Sequence, residues 1–318
     1  MFESSPRFTP LPSTLISDGV YVLSFQTSGV FTVARSIFIP QLHRPFPSNM
    51  SLQPVISREY KLVLKAANFP GGESQLLEHA GRFWEAFEKI VAPAIGSTTG
   101  TLVNIDKQRE IRFYDTKDFI LRNKSFIARK RMAMPDGEQE VTLKSRHEDR
   151  YVSQDRDMST QKKDAGKVKF EEDIKAPFLK LYSFSATQPI EADTKFEKIK
   201  HIVKLYPGLA EEMEGHMDEP IVLVNDRTAH EIVVTGATIN LGENLTAAEC
   251  ALITWYKQGE LQADPLIVEF SFRYGSKKEK YDRKTALSAY ALFLAMQEQL
   301  QSWIADKDAT KTNFMFEA

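Results

Sequence analysis

Along much of the chain, apolar residues alternate with charged ones. In Arg58–Lys65, Tyr60, Leu62 and Leu64 fall on one parity and Glu59, Lys61 and Lys65 on the other. Phe126–Arg131 sets Arg129 and Arg131 on one parity. After a turn at Pro135, Asp136 and Gly137, the run 140–144 sets Glu140, Thr142 and Lys144 against Val141 and Leu143. Lys167–Asp173 groups Lys167, Lys169, Glu171 and Asp173, and Val268–Arg273 groups Glu269 with Arg273. Alternate residues of a strand share a face, so each run reads as a strand with one oily and one charged side. A single half-polar strand usually faces water. Several strands whose polar sides mix cations with carboxylates predict a closed sheet with a charged, wet interior and an apolar exterior under helices.

Helical spacing supplies the cover. In Glu73–Val91, Leu76, Leu77, Ala80, Phe83, Trp84, Phe87 and Ile90 form a stripe that stops at Pro93 and Gly96. Lys277–Ile304 carries Leu287, Tyr290, Phe293, Leu294, Leu300 and Ile304 along one seam, behind a basic first turn at Lys277 and Lys278 that opposes the helix dipole. Helices are also expected over Ile190–Leu205 and Leu209–His216. Further strands are expected at Leu102–Phe113, Ile221–Val224, His230–Thr235, Leu252–Lys257 and Leu266–Tyr274, with a turn at Asn225 and Asp226. The charged stretch Ser145–Lys163 reads as a solvated loop. The expected class is therefore α+β: an antiparallel closed β-barrel, or tunnel, with a polar interior and helices packed outside.

Residues 1–50, rich in Ser, Thr and Pro, offer two β-like runs, Val20–Phe25 and Val30–Ala34. They read as a disordered extension, or as a mis-assigned start ahead of Met50, with 51–318 as the tunnel domain. In the 318 residues, 41 Lys and Arg balance 43 Asp and Glu, so any cationic feature must be local; neither nucleic acid nor a membrane surface is an expected partner. One cysteine, Cys250 in apolar context, fits a reducing compartment and a core role. No apolar run reaches membrane-span length, and the expected location is cytoplasmic. A phosphate-cradling glycine loop, a serine nucleophile elbow and a paired-cysteine zinc pattern are all missing, and the six histidines are scattered.

The ordered strand motifs resemble the CYTH, or triphosphate tunnel metalloenzyme, family. Glu59-x-Lys61 looks like the second half of its E-x-E-x-K signature. Tyr114-Asp115-Thr116, the Arg129-x-Arg131 strand and Thr142-Leu143-Lys144 look like its following segment. Glu171-x-Asp173 resembles its E-x-E strand and Glu269 its late acidic strand. The resemblance spans about residues 57–306. Ser57 replaces the signature's first Glu, and Ser271 stands where a second late acid is often found.

This resemblance implies hydrolysis of a triphosphate, such as tripolyphosphate or a small organic triphosphate, inside a cationic tunnel. Lys61, Lys65, Arg129, Arg131, Lys144, Lys169, Arg227 and Arg273 would bind phosphate. Glu59, Glu171, Asp173 and Glu269 would hold Mg²⁺ or Mn²⁺, with Glu171 or Glu269 helping to activate water. Adenylate cyclisation belongs to the same fold, but no residues here read an adenine. Two other readings stand beside it. One is a polyphosphate- or nucleotide-binding module without turnover. The other is a scaffold whose inward charges only pair across strands.

Overall fold

The computed structural model describes residues 15–16, 20–21 and 52–317, apart from 95, 163, 245 and 306–309. The chain divides into two compact units, 1–51 and 52–318. In the first, β1 (Leu15–Ile16) pairs antiparallel with β2 (Val20–Tyr21). The remainder of the expected extension, including the run Val30–Ala34, lies outside the described residues.

In the second unit nine strands close on themselves. They are β3 (Ser57–Leu64), β4 (Ser97–Asp115), β5 (Phe126–Ala133), β6 (Gln139–His147), β7 (Lys167–Lys175), β8 (Leu179–Ile190), β9 (Val222–Leu241), β10 (Thr246–Lys257) and β11 (Ile267–Gly275). The order around the barrel is β10-β11-β3-β7-β8-β6-β5-β4-β9. Every pairing is antiparallel except β3 with β7, which is parallel. A parallel pair needs a long crossover, and the hundred-odd residues between these two strands provide one.

The exterior is apolar. Tyr60, Leu62 and Leu64 of β3 and Val268, Phe270 and Phe272 of β11 pack beneath α1 (Glu73–Ala94) and α5 (Arg283–Gln299). Leu76, Ala80, Phe83, Trp84, Phe87 and Ile90 of α1 are buried there, and Leu77 stays exposed. A second cluster joins Phe126, Ala128, Val141, Leu143, Phe170 and Phe184 to α4 (Ile199–Leu205). Near it, α2 (Ile120–Asn123) is pinned by Asp115, whose carboxylate accepts the Leu121 and Arg122 N–H groups. Cys250 is buried in the first cluster, and burial pushes its thiol pKa up.

Several sequence expectations give way. Strand β8 was not anticipated; Ile190 ends it, and the helix expected from Ile190 runs only over Ile199–Leu205. The expected helix Leu209–His216 is a series of turns after a single 3-10 turn at Pro207–Leu209. The presumed solvated loop begins as strand, since β6 runs to His147. It continues into α3 (Arg150–Gln154), capped by Asp149, which accepts the Tyr151 and Val152 N–H groups. Asn225 and Asp226 do not end a strand. Both adopt φ 51° inside β9, and the extra residues are absorbed as a bulge against β4 between Arg112 and Tyr114. Lys277 and Lys278 precede α5 rather than open it, and Asp282 caps that helix by accepting the Thr285 N–H at 2.8 Å. The seam of α5 is rotated from the expected one. Ala289, Leu292, Phe293 and Met296 face the barrel, while Leu287, Tyr290 and Leu294 are exposed.

Candidate anion-binding bore

Burial of Tyr60, Leu62 and Leu64 under the helices sends Glu59 and Lys61 into the barrel; a one-residue slip of β3 would exchange the two sets. The parallel register sets Asp173 of β7 beside Glu59. The Lys61 Nζ then lies 2.8 Å from Glu59 Oε2 and 3.0 Å from Asp173 Oδ1. From β6, Lys144 Nζ and Arg146 Nη2 approach Asp173 Oδ2 at 3.3 and 3.1 Å. One carboxylate, 1% exposed, therefore serves three cations. Burial opposes the charge of Asp173, but Lys144, Lys61 and Arg146 hold its pKa well below the usual carboxylate range.

A second group gathers on β4, β5, β6 and β9. Arg109 Nε donates to Glu231 Oε1 at 2.9 Å, with Nη2 bound to the same oxygen, while the Trp255 indole donates to Oε2 at 2.9 Å. Burial opposes ionisation of Glu231, yet Arg109, Lys311 and Arg131 bring its pKa down to about 2. Arg131 reaches Glu140 at 3.0 Å and Thr142 at 3.3 Å. The Thr142 hydroxyl is in turn 2.8 Å from that of Thr187 on β8.

Arg129 belongs to neither group. No carboxylate lies within ion-pair distance of it among the described residues, and its buried Nε has no hydrogen-bond partner. Burial and then Arg131, Arg109 and Arg146 drive its pKa well down against the pull of Glu231, which places it between the two groups. Lys144 is pushed down to about 7 by burial and by Arg146, against the pull of Asp173. Lys61, Arg109, Arg129, Arg131, Lys144, Arg146 and Lys311 thus face Glu59, Glu140, Asp173, Glu231 and Glu269. The inner wall carries more cations than counter-charges.

Of the residues expected from sequence, Glu59, Lys61, Arg129, Arg131, Lys144 and Asp173 form this cluster; Glu171 and Glu269 lie on the inward side of β7 and β11 without pairing to these six, and the rest are placed elsewhere. Lys65 lies past the end of β3, and its ammonium bonds the Gln301 carbonyl at 3.1 Å. Lys169 is exposed near the start of β7. Arg273 is exposed and paired with Glu249 at 2.7 Å. Glu171 is half-buried on the same side of β7 as Asp173, two residues away and opposite Ser57, with no ion pair to the cluster among the described residues. Arg227 donates to the Phe314 carbonyl and lies 5.1 Å from that ring. Glu269 is 2.7 Å from Lys311. The last two contacts come from α6 (Lys311–Phe316), which also buries Met315 and Phe316 against Ile111, Phe113, Trp255 and Ile267.

Sequence reasoning missed Arg109, Arg146, Glu231 and Lys311. Arg146 extends the Thr142, Lys144 alternation by one step, and Arg109 shares the parity of Ile111 and Phe113. Glu231 sits between the buried neighbours His230 and Ile232. Lys311 follows no pattern that would place it in a barrel.

A divalent ion was expected at Glu59, Glu171, Asp173 and Glu269. Oxygen donors are the right chemistry for Mg²⁺ or Mn²⁺. However, no three or more Asp, Glu, His or Cys side chains converge to hold a metal among the described residues. Glu59 and Asp173 are bridged by Lys61, and Glu269 is taken by Lys311. As arranged, these side chains do not fit such an ion.

No family model and no curated protein matches the sequence. Among solved structures, the chain is similar to a Hippeastrum protein described as a candidate adenylyl cyclase with a dominant triphosphatase activity. Identity is 11%, coverage 82% of this chain and 95% of that one, and the TM-score 0.42. It is also similar to candidate adenylate cyclases from Vibrio parahaemolyticus (12% identity, 84% and 100% coverage, TM-score 0.33) and Bacillus halodurans (12%, 82% and 98%, TM-score 0.36). The likeness is one of fold. What the CYTH resemblance implies about architecture is observed directly in the strand order: a closed, mainly antiparallel barrel with charge inside and α1, α4 and α5 outside, while α6 packs on the inward-facing Ile111, Phe113 and Trp255. Among the described residues, no helix is long and apolar enough to cross a membrane.

Proposed function

We propose that the bore binds a linear polyanion of the triphosphate class. Arg129 carries this reading. A half-buried guanidinium whose Nε is shut away without an acceptor is costly to keep, and here the cations around it outweigh the one carboxylate, Glu231, that acts on it. A bound anion supplies what is missing. Arginine forks grip phosphate oxygens in pairs, and lysine adds a compact charge. The cations form one group around Asp173 and another around Glu231 and Glu140, with Arg129 between. That spread suits charges strung along a chain better than one compact ion.

Hydrolysis of the bound phosphoanhydride with Mg²⁺ or Mn²⁺ is a second reading. The adjacency of half-buried Glu59 and buried Asp173 favours it. In that reading the two carboxylates would first have to give up Lys61. One experiment separates the cases: incubation with tripolyphosphate, nucleoside triphosphates or thiamine triphosphate, with and without metal, following thermal midpoint and phosphate release. Binding raises the midpoint with ligand concentration and returns the ligand intact. Hydrolysis releases phosphate. No midpoint shift and no phosphate with any of them would refute the anion site and leave the charges as structural pairs.

A further inference from the structure

We propose that Lys61 takes the place of a divalent cation in this barrel: its ammonium is the resident counter-ion of Glu59 and Asp173, and polyanions bind the bore without metal. The inference rests on the anion-binding reading above and adds how that site is charged.

The geometry around Lys61 is that of an occupied cation position. Its Nζ bridges two carboxylates from neighbouring strands at 2.8 and 3.0 Å, both normal charge-assisted lengths. The strand that carries it is held firmly. Tyr60 and Leu62 on either side are buried, and the Tyr60 ring stacks on Phe272 with centroids 4.8 Å apart. Burial works against the charges of Lys61, Glu59 and Asp173, but their mutual attraction prevails: the Lys61 pKa is raised and both carboxyl pKa values are lowered.

The surroundings are also wrong for a dication. Asp173 already answers Lys144 and Arg146, so a divalent ion beside it would enter a field of three cations. Of the other acids, Glu269 is engaged by Lys311 and Glu231 by Arg109 and Trp255, while Glu171, on the same side of β7 as Asp173, does not converge with Glu59 and Asp173 into a three-ligand group among the described residues. Ser57, one step along the inward side of β3 from Glu59 and opposite Glu171, offers a neutral hydroxyl where a further carboxylate would be needed. Hard cations are held by carboxylates with room for waters, and this pair has its shared space filled.

The test is calorimetric titration of the full chain with tripolyphosphate, in EDTA and in excess Mg²⁺ or Mn²⁺, together with the thermal midpoint in metal alone. The expected result is saturable binding in EDTA, unchanged or weakened by metal, and no midpoint shift with metal alone. Lys61→Met, which strips the two carboxylates of their ammonium, should gain a saturable metal-dependent rise in midpoint. Lys61→Arg, which keeps the charge, should stay insensitive to metal. The proposal is overturned if metal tightens binding to the native protein by about tenfold or more, or if metal alone raises the native midpoint saturably. Absence of binding in both conditions is a different failure and overturns the anion site itself.

Discussion

Asp173 and Glu231 are both buried carboxylates on the inner wall, yet their surroundings differ. Glu231 has one arginine gripping one oxygen and an indole N–H on the other, so its charge is answered by a close cation and a neutral donor. Asp173 has three cations and no neutral donor among its closest partners, two of those cations on one oxygen. Even with Glu59 sharing Lys61, two negative charges face three positive ones. The Glu231 group is therefore close to balanced, whereas the Asp173 group, with Arg129 beside it, keeps unspent positive charge. The first is built like a brace and the second like a receptor.

Removing the charge from each carboxylate should expose that difference. Asp173→Asn strips three half-buried cations of their common, fully buried partner and should cost about 3–5 kcal/mol in denaturant unfolding, the range for a broken buried pair. Tripolyphosphate should recover more stability in this variant than in the native protein. Glu231→Gln should cost less, about 1–3 kcal/mol, because the amide oxygen still accepts from Trp255 and Arg109 is partly open to water. Equal losses in the two variants would erase the distinction.

The Asp173 side should also respond to pH. Lys144 faces Asp173, Arg146, Lys61 and Arg129, and its pKa is held at about 7 against an ordinary lysine value above 10. The sign follows from proton counts. Between those two pKa values the unfolded chain binds a proton that the native chain does not, so this group makes stability rise with pH across the interval. Below about 7 its penalty is full and constant. A bound anion raises the native pKa, so binding at pH 8 should take up protons, and affinity should fall as pH climbs above 7. Calorimetry at pH 8 in two buffers of different ionisation enthalpy reads the uptake directly; identical heats in both would contradict the placement of Lys144. The smallest expected effect is at the exposed pair: Arg273→Ala, losing Glu249, should change stability by about 0.5 kcal/mol or less.

The barrel was legible in the sequence because burial on one face forces period-two spacing. Tyr60, Leu62 and Leu64 therefore gave away the direction of Glu59 and Lys61 before any fold was seen. The same logic found Arg129, Arg131, Lys144 and Asp173. It failed where alternation says nothing about strand ends. Lys65 continues the charged parity of β3 but lies beyond the last pairing with β11. Arg146 was passed over because a charged stretch reads as loop unless its partner strand, here β8, is known. Pairing was equally hidden: nothing local in Glu269 signals that a lysine from the C-terminal helix will neutralise it. Strand faces are local properties, whereas the identity of a counter-charge is set by register between distant segments.

The claim on which the account rests is that unpaired positive charge in the bore receives an anion, and Arg129 is its most direct probe. Tripolyphosphate titrated by calorimetry at fixed salt into the native protein and into Arg129→Met gives the decisive comparison. The account predicts saturable binding to the native chain, an affinity roughly tenfold to a hundredfold weaker in the variant, the range for a lost charged hydrogen bond, and an unfolding midpoint in the unliganded variant equal to or above the native one. A variant that binds as tightly as the native protein, or that is severely destabilised without ligand, would contradict it.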